Sequence, residues 1–178
     1  MRIQADKLKD AMRNAGVSID DLASAIDRPG ITVSSALRNW LAGKGEPRVR
    51  REDLDHLSEA LACAPKDIAI FMSASRMQPS SARKARLVVD LIRGARVDEA
   101  VDTLKFCNKR AAKMVLKTLK TAIADAELAD ADVGMLRVTH THVDEGPGVR
   151  RFRPKDRGRS HPYRKYQSHI VVGVEEVA

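Results

Sequence analysis

The chain has 178 residues, of which 43% are hydrophobic and only 3% aromatic, so it can fill one medium core or two small ones, chiefly with aliphatic side chains. No stretch approaches the roughly 20 apolar residues that a membrane-spanning helix needs, and the first residues lack a charged-then-apolar signal pattern. The expectation is therefore a cytoplasmic protein with no membrane partner. A net charge of +8 directs attention to polyanions.

In chain order, Leu8, Met12 and Ala15 mark the apolar stripe of a first helix. Ser18 fits the N-cap of a second, with Asp20 and Asp21 in its first turn, where the helix dipole favours acids, and Leu22, Ala23 and Ile26 inward. Arg28-Pro-Gly30 breaks that helix. Thr32 or Val33 opens a third through Leu37, Trp40 and Leu41, stopped by Gly43-Lys-Gly45 with Pro47 beyond. Leu54, Leu57 and Leu61 form the stripe of further short helices, and Ile68, Ile70 and Phe71 close a small all-α core. Trp40, at helical spacing from Leu37, reads as a core residue rather than a stacking platform.

Over residues 7–71 this order of short helices resembles the phage-repressor and Cro helix-turn-helix family. The resemblance is carried by Ser18-Ile-Asp-Asp-Leu-Ala23, by Val33-Ser-Ser-Ala-Leu-Arg-Asn-Trp40 as the recognition helix, and by Leu41-Ala-Gly-Lys-Gly-Glu-Pro47. It implies that Ser34, Ser35 and Arg38 would face a duplex DNA groove. Two features depart from that pattern. Arg28-Pro-Gly-Ile31 is longer than the usual tight turn, and residues 1–72 carry 11 basic and 11 acidic side chains, a balance of zero where DNA binders usually present a basic face. A helical module that docks on RNA or protein stays open beside DNA binding.

Met72-Ser-Ala-Ser75 and Pro79-Ser-Ser81 interrupt the helical patterns on both sides, which places a junction between domains 1–72 and 73–178. All of the +8 lies after it. Ala85, Val88, Val89 and Ile92 then form one face of a helix that ends at Gly94, with Arg83, Lys84, Arg86 and Arg93 outside it, and Val97, Ala100, Val101 and Leu104 mark a shorter helix. From Asn108 to Leu128, Ala112, Val115, Leu119, Ile123 and Ala126 oppose a ridge of Lys109, Lys113, Lys117 and Lys120 at 100° per residue. Two strands close the chain, Leu136–Val143 and His169–Val174. Between them, Arg150, Arg151, Arg153, Lys155, Arg157, Arg159, Arg164 and Lys165 face a single acid, Asp156, within sixteen residues. So much like charge cannot pack on the protein's own core, so this segment reads as a long protruding hairpin or an extended loop set against a polyanion.

Residues 74–178 resemble the bacterial large-subunit ribosomal protein twenty-two family end to end. The matching stretches are Ser80-Ser-Ala-Arg-Lys-Ala-Arg-Leu-Val-Val-Asp-Leu-Ile-Arg-Gly94, Thr121-Ala-Ile-Ala-Asp-Ala-Glu127, Val143-Asp-Glu-Gly-Pro147, Arg153-Pro154, Arg157-Gly-Arg159 and Ser168-His-Ile170. The resemblance implies an α+β fold of three helices on an antiparallel sheet with a long β-hairpin. It also implies contact with large-subunit ribosomal RNA and other ribosomal proteins, a part in subunit assembly, and a hairpin tip, at Lys155, Arg157, Gly158 and Arg159, beside the nascent polypeptide in the exit tunnel. Arg83, Lys84 and Arg86, lysines 113, 117 and 120, and the arginines and lysines of the hairpin are the expected RNA contacts. Arginine suits irregular RNA because its planar guanidinium both pairs with phosphate and stacks on unpaired bases. This chain departs from the family at Asp156 in the tip, at Asp125, where asparagine is common, and at Tyr166, where a basic residue is frequent and a stacking contact can replace a phosphate contact.

No enzyme constellation appears: there is no glycine-rich phosphate loop, nucleophile elbow or carboxylate pair outside the family-like motifs. Cys63 and Cys107 lie in different segments without metal-ligand spacing and read as free thiols. His140 and His142 share a strand face, and with His161 or His169 they could offer metal ligands. Beside a basic hairpin they read instead as hydrogen-bonding or stacking groups, and no metal or cofactor is expected.

Overall fold

The computed structural model describes residues 1–26 and 32–177. The turn predicted at Arg28-Pro-Gly-Ile31 lies outside the described residues. The chain begins with a two-residue strand, β1 (Arg2–Ile3), followed by helices α1 (Ala5–Ala15), α2 (Ile19–Ala25), α3 (Val33–Leu41), α4 (Arg51–Leu61) and the single turn α5 (Pro65–Ile68). Strand β2 (Ala69–Gln78) leads into α6 (Ala82–Ile92), α7 (Val97–Phe106) and α8 (Arg110–Glu127), and strands β3 (Leu136–Pro154) and β4 (Ser160–Glu176) complete an α+β fold.

Local chemistry accounts for the helix starts. Ser18 caps α2 through a reciprocal box in which its hydroxyl accepts from the Asp21 N–H and the Asp21 carboxylate accepts from the Ser18 N–H. Those bonds hold the Asp21 carboxyl below its ordinary pKa, the side-chain bond with Ser18 contributing most. Helix α3 starts after Thr32 and buries Ala36, Leu37 and Trp40. Trp40 is a core residue, 2% exposed, and its indole N–H donates to the Pro47 carbonyl at 2.7 Å, which satisfies the ring's one polar group. Cys63 and Cys107 are free and half-buried, and burial pushes the Cys63 thiol up.

Among the described residues the strands form one antiparallel sheet in the order β1-β2-β4-β3. Met72-Ser-Ala-Ser75, an interruption by sequence pattern, is part of β2. Its small residues carry little strand propensity, and the segment is extended because it pairs with residues 170–173 of β4. The position between residues 72 and 73 thus falls inside a strand. On the other edge of β2, Arg2 pairs with Ile70 and Ile3 with Ala69, so the first residues of the chain extend the sheet formed by its last.

Helices α6 and α8 pack on the sheet face that carries Phe71, Ile170, Val172 and Val174, and α7 packs against both helices. The small-helix half joins the same buried cluster: Leu8, Leu37, Trp40 and Leu57 are continuous with Phe71, Val89 and Leu119. Polar contacts fasten the seam. Gln4 donates to the Glu175 carboxylate, Lys66 pairs with Glu176 at 3.2 Å, and Arg51 donates to the Leu128 carbonyl at 2.7 Å, at the C-terminus of α8, where the dipole favours a cation.

Candidate nucleic-acid interface

The hairpin of β3 and β4 is the main projection of the molecule. Its strands stay paired to Pro154↔Ser160, so the cationic segment is an antiparallel ribbon. Every residue from 150 to 166 is exposed. At 3.3–3.4 Å per residue the ribbon extends roughly 25–30 Å beyond Gly146. Lys155 donates its N–H to the Arg159 carbonyl at 2.8 Å, and Arg157 and Gly158 turn the chain with φ of 54° and 68°. Glycine takes that conformation at no steric cost, whereas Arg157 is strained by it.

Pairing sorts the charges onto two faces. Arg151, Arg153, His161, Tyr163 and Lys165 share one, and Arg150, Phe152, Pro162 and Arg164 the other. The Arg153 guanidinium lies over the Tyr163 ring, 5.6 Å from its centre. Arg150 stands directly opposite Arg164, a cross-strand pairing of like charges that is unfavourable until an anion intervenes. Asp156 is exposed in the tip among Lys155, Arg157 and Arg159.

The hairpin's base is held by α6. Because β3 is an edge strand, its outward backbone groups need partners. Gly94 N–H donates to the Val138 carbonyl and Val138 N–H to the Ala95 carbonyl, at 2.8 and 3.0 Å. Arg93 reaches the Thr141 hydroxyl and carbonyl at 3.0 and 3.3 Å, and Arg86 binds the Val143 carbonyl through Nε and Nη2 at 3.2 and 3.1 Å. One edge of the Arg86 guanidinium therefore anchors the projection, while Arg83 and Lys84 on the same helix are exposed. Arg86→Ala is expected to lower unfolding stability by about 1–2 kcal/mol by removing a charged donor from a backbone acceptor. Arg83→Ala should change it by less than about 0.5 kcal/mol. Equal effects of the two in chemical denaturation would contradict the anchoring role.

A bulge at Val138/His140 shifts the alternation of β3, so Leu136 and Val138 are followed inward by Thr141 and Val143. It leaves His140 and His142 together on the sheet face away from the helices. His142 Nδ1 lies 3.0 Å from His140 Nε2, and His142 Nε2 lies 3.5 Å from the Asp144 carboxylate. Burial first, and then the positive charges of His142, Arg2 and Arg93, hold the His140 pKa below its ordinary value. The folded state therefore disfavours the protonated ring. Its contribution to stability is complete above the unfolded histidine pKa of about 6.5 and declines as the pH falls through it. Thermal midpoints of the protein and of His140→Gln should diverge on acidification, the unaltered protein losing more, whereas parallel pH profiles would contradict this. Among the described residues no group of three or more histidines, cysteines or carboxylates is placed to hold a metal ion.

Lys113, Lys117 and Lys120 are exposed along one side of α8, and Ala112, Val115 and Leu119 are buried on the other. Beyond the ridge, Asp125 lines a cavity of about 360 Å³ with Arg48, Arg50 and Arg51 from the chain's first half. In the helical half, Ser34 is half-buried, Ser35 and Arg38 are exposed, and the Ser35 hydroxyl donates to the Thr32 carbonyl at 2.8 Å.

An antiparallel sheet backed by three helices and continued into a bare cationic ribbon has the build of a ribosomal protein. Residues 73–175 match the family model of ribosomal protein L22p/L17e, and the chain belongs to that family. Residues 7–73 match the model of the Cro/C1-type HTH DNA-binding domain, ahead of the ribosomal-protein match. Neither family is enzymatic.

Proposed function

We propose that this chain is a structural constituent of the large ribosomal subunit in the cytoplasm, where it binds ribosomal RNA, contributes to subunit assembly and places its hairpin tip at the nascent-peptide exit tunnel. The observation that carries this reading is the ribbon at 150–166, exposed on both faces, with Arg150 opposite Arg164 and Asp156 as its single acid. Such a projection gains order and stability by lying against phosphate. Arg150, Arg151, Arg153, Arg157, Arg159, Arg164 and the lysines at 155 and 165 grip RNA along the ribbon. Arg83, Lys84 and Arg86 meet it at the base, and Lys113, Lys117 and Lys120 along α8. Other ribosomal proteins are the neighbours at the globular end, and the nascent polypeptide passes Lys155, Arg157, Gly158 and Arg159. Titration of labelled large-subunit RNA with the full chain over a range of salt tests the RNA-binding part. A log–log salt slope of at least about −5 in magnitude, as expected when most of these cations meet phosphate, supports it. Affinity insensitive to salt would overturn it.

A second reading, DNA-binding regulation through α3, is favoured by the match at residues 7–73 and by the exposure of Ser35 and Arg38. Asp20 and Asp21 in the first turn of α2 count against tight backbone contact there. Selection from a random duplex pool would test it. An enriched sequence whose binding is lost in Arg38→Ala supports a regulator, and the absence of enrichment excludes one.

A further inference from the structure

A cleft of about 850 Å³ opens between α6, the start of α8 and the base of the hairpin. Lys84, Lys109, Arg110 and Lys165 line it with no carboxylate among the lining residues, in a chain that carries 24 acidic residues. Leu87 and Tyr166 form its apolar surface and are 57% and 53% exposed, so neither is placed there to fill the core. We propose that this cleft takes one unpaired nucleotide of a bound RNA, with the base against Tyr166 and Leu87 and the flanking phosphates among the four cations. The proposal rests on the RNA-binding reading above and specifies a contact that the hairpin's charge does not.

Three features favour a nucleotide over a bare phosphate or a paired stem. The volume lies within the roughly 300–1,000 Å³ typical of clefts that enclose a small organic group, and it is too confined for a duplex. An aromatic face beside converging cations matches the two halves of a nucleotide, stacking for the base and charge for the backbone, and a base offers both its faces only when it is not stacked in a helix. Helices α6 and α8 also begin at the wall of the cleft without an acidic residue in their first turns, as α3 does elsewhere, whereas α1, α2, α4, α5 and α7 each carry at least one there. Their N-terminal N–H groups add to the positive potential instead of being neutralised by the protein's own side chains. Tyr166, which departs from the basic residue frequent in the family, acquires a role in this arrangement.

The test uses the full chain and two RNA probes, a stem-loop with a single 2-aminopurine in its unpaired loop and the same base locked in a continuous duplex. The stem-loop should bind with quenching of the 2-aminopurine emission. Tyr166→Ala should weaken that binding on the order of tenfold and abolish the quenching. Tyr166→Phe should retain both, because the ring and not the hydroxyl does the stacking. Lys84→Gln with Arg110→Gln should reduce the salt slope while leaving the quenching at saturation. Tyr166 and these cations are surface residues, so near-native circular dichroism is expected in each variant. If the unaltered chain binds the stem-loop and Tyr166→Ala binds and quenches equally well, the nucleotide cleft is refuted while RNA binding stands. If the unaltered chain binds neither probe nor large-subunit RNA, both fall together.

Discussion

Replacing Arg150, Arg151, Arg153, Arg157 and Arg159 together by glutamine should weaken binding to large-subunit RNA about a thousandfold or more near 0.1 M salt and flatten the log–log salt slope by about three to five. The magnitude follows from counterion release, in which each phosphate contact contributes roughly 0.7–0.9 to the slope and about as many decades of affinity at that salt concentration. The same variant should not be less stable than the parent when RNA is absent. The replaced side chains are exposed and contribute nothing to the buried core, and relief of the repulsion between Arg150 and Arg164 offsets the loss of the Arg153–Tyr163 contact. Lower affinity without lower stability is therefore expected from one set of substitutions. Affinity within tenfold of the parent would mean that the ribbon is not the principal RNA contact.

Phe71→Ala has the second large expected effect. Phe71 is fully buried in β2, paired with Val174 of β4 and one residue beyond the pairing of Ile70 with Arg2. It belongs to the core shared by the small helices and the sheet. Truncating it removes aromatic contacts and leaves a cavity, at about 3–5 kcal/mol, equivalent to a fall of roughly 6–20 °C in thermal midpoint for a chain of this size. Because the core is continuous, both halves should lose stability together. Trp40, the only tryptophan, reports on the helical half. Its fluorescence midpoint and the far-UV midpoint should fall in step. An unchanged Trp40 transition would show that the two halves unfold independently.

Much of this architecture is legible in the residues because local and tertiary preferences agree there. Ser18 with Asp21 starts α2, Leu8 and Leu37 mark inward faces, the lysine ridge of α8 opposes Val115 and Leu119, and Leu136–Val143 and His169–Val174 are strands. What escapes a sequence reading is set by contacts distant along the chain. Arg2 and Ile3 cannot be recognised as a strand without Ala69 and Ile70, and the small residues of β2 are extended only because β4 lies beside them. The bulge near His140 depends on the register with Gly173 and Val174. Arg86 illustrates the same limit at the candidate site. An outward-facing cation on a helix reads as a ligand contact, yet part of its guanidinium serves the unpaired carbonyl of an edge strand 57 residues away. Tyr166 stands out by composition as a possible stacking group, whereas the cleft around it needs three separate segments of chain to meet.

Joining the helices of residues 7–73 to this fold also has a physical consequence. The added helices do not hang from a linker; they share β2, cap the C-terminus of α8 through Arg51 and join Asp125 in lining one cavity. Any partner of α3 would therefore be held in a defined orientation to the sheet that carries the hairpin.

The most direct measurement is to fractionate ribosomes at high salt from the organism that makes this chain and quantify it in the large subunit by mass spectrometry. The ribosomal assignment predicts peptides spanning all 178 residues, residues 7–73 included, at close to one copy per large subunit. Absence of the chain from washed large subunits would contradict that assignment and leave DNA regulation as the function to pursue.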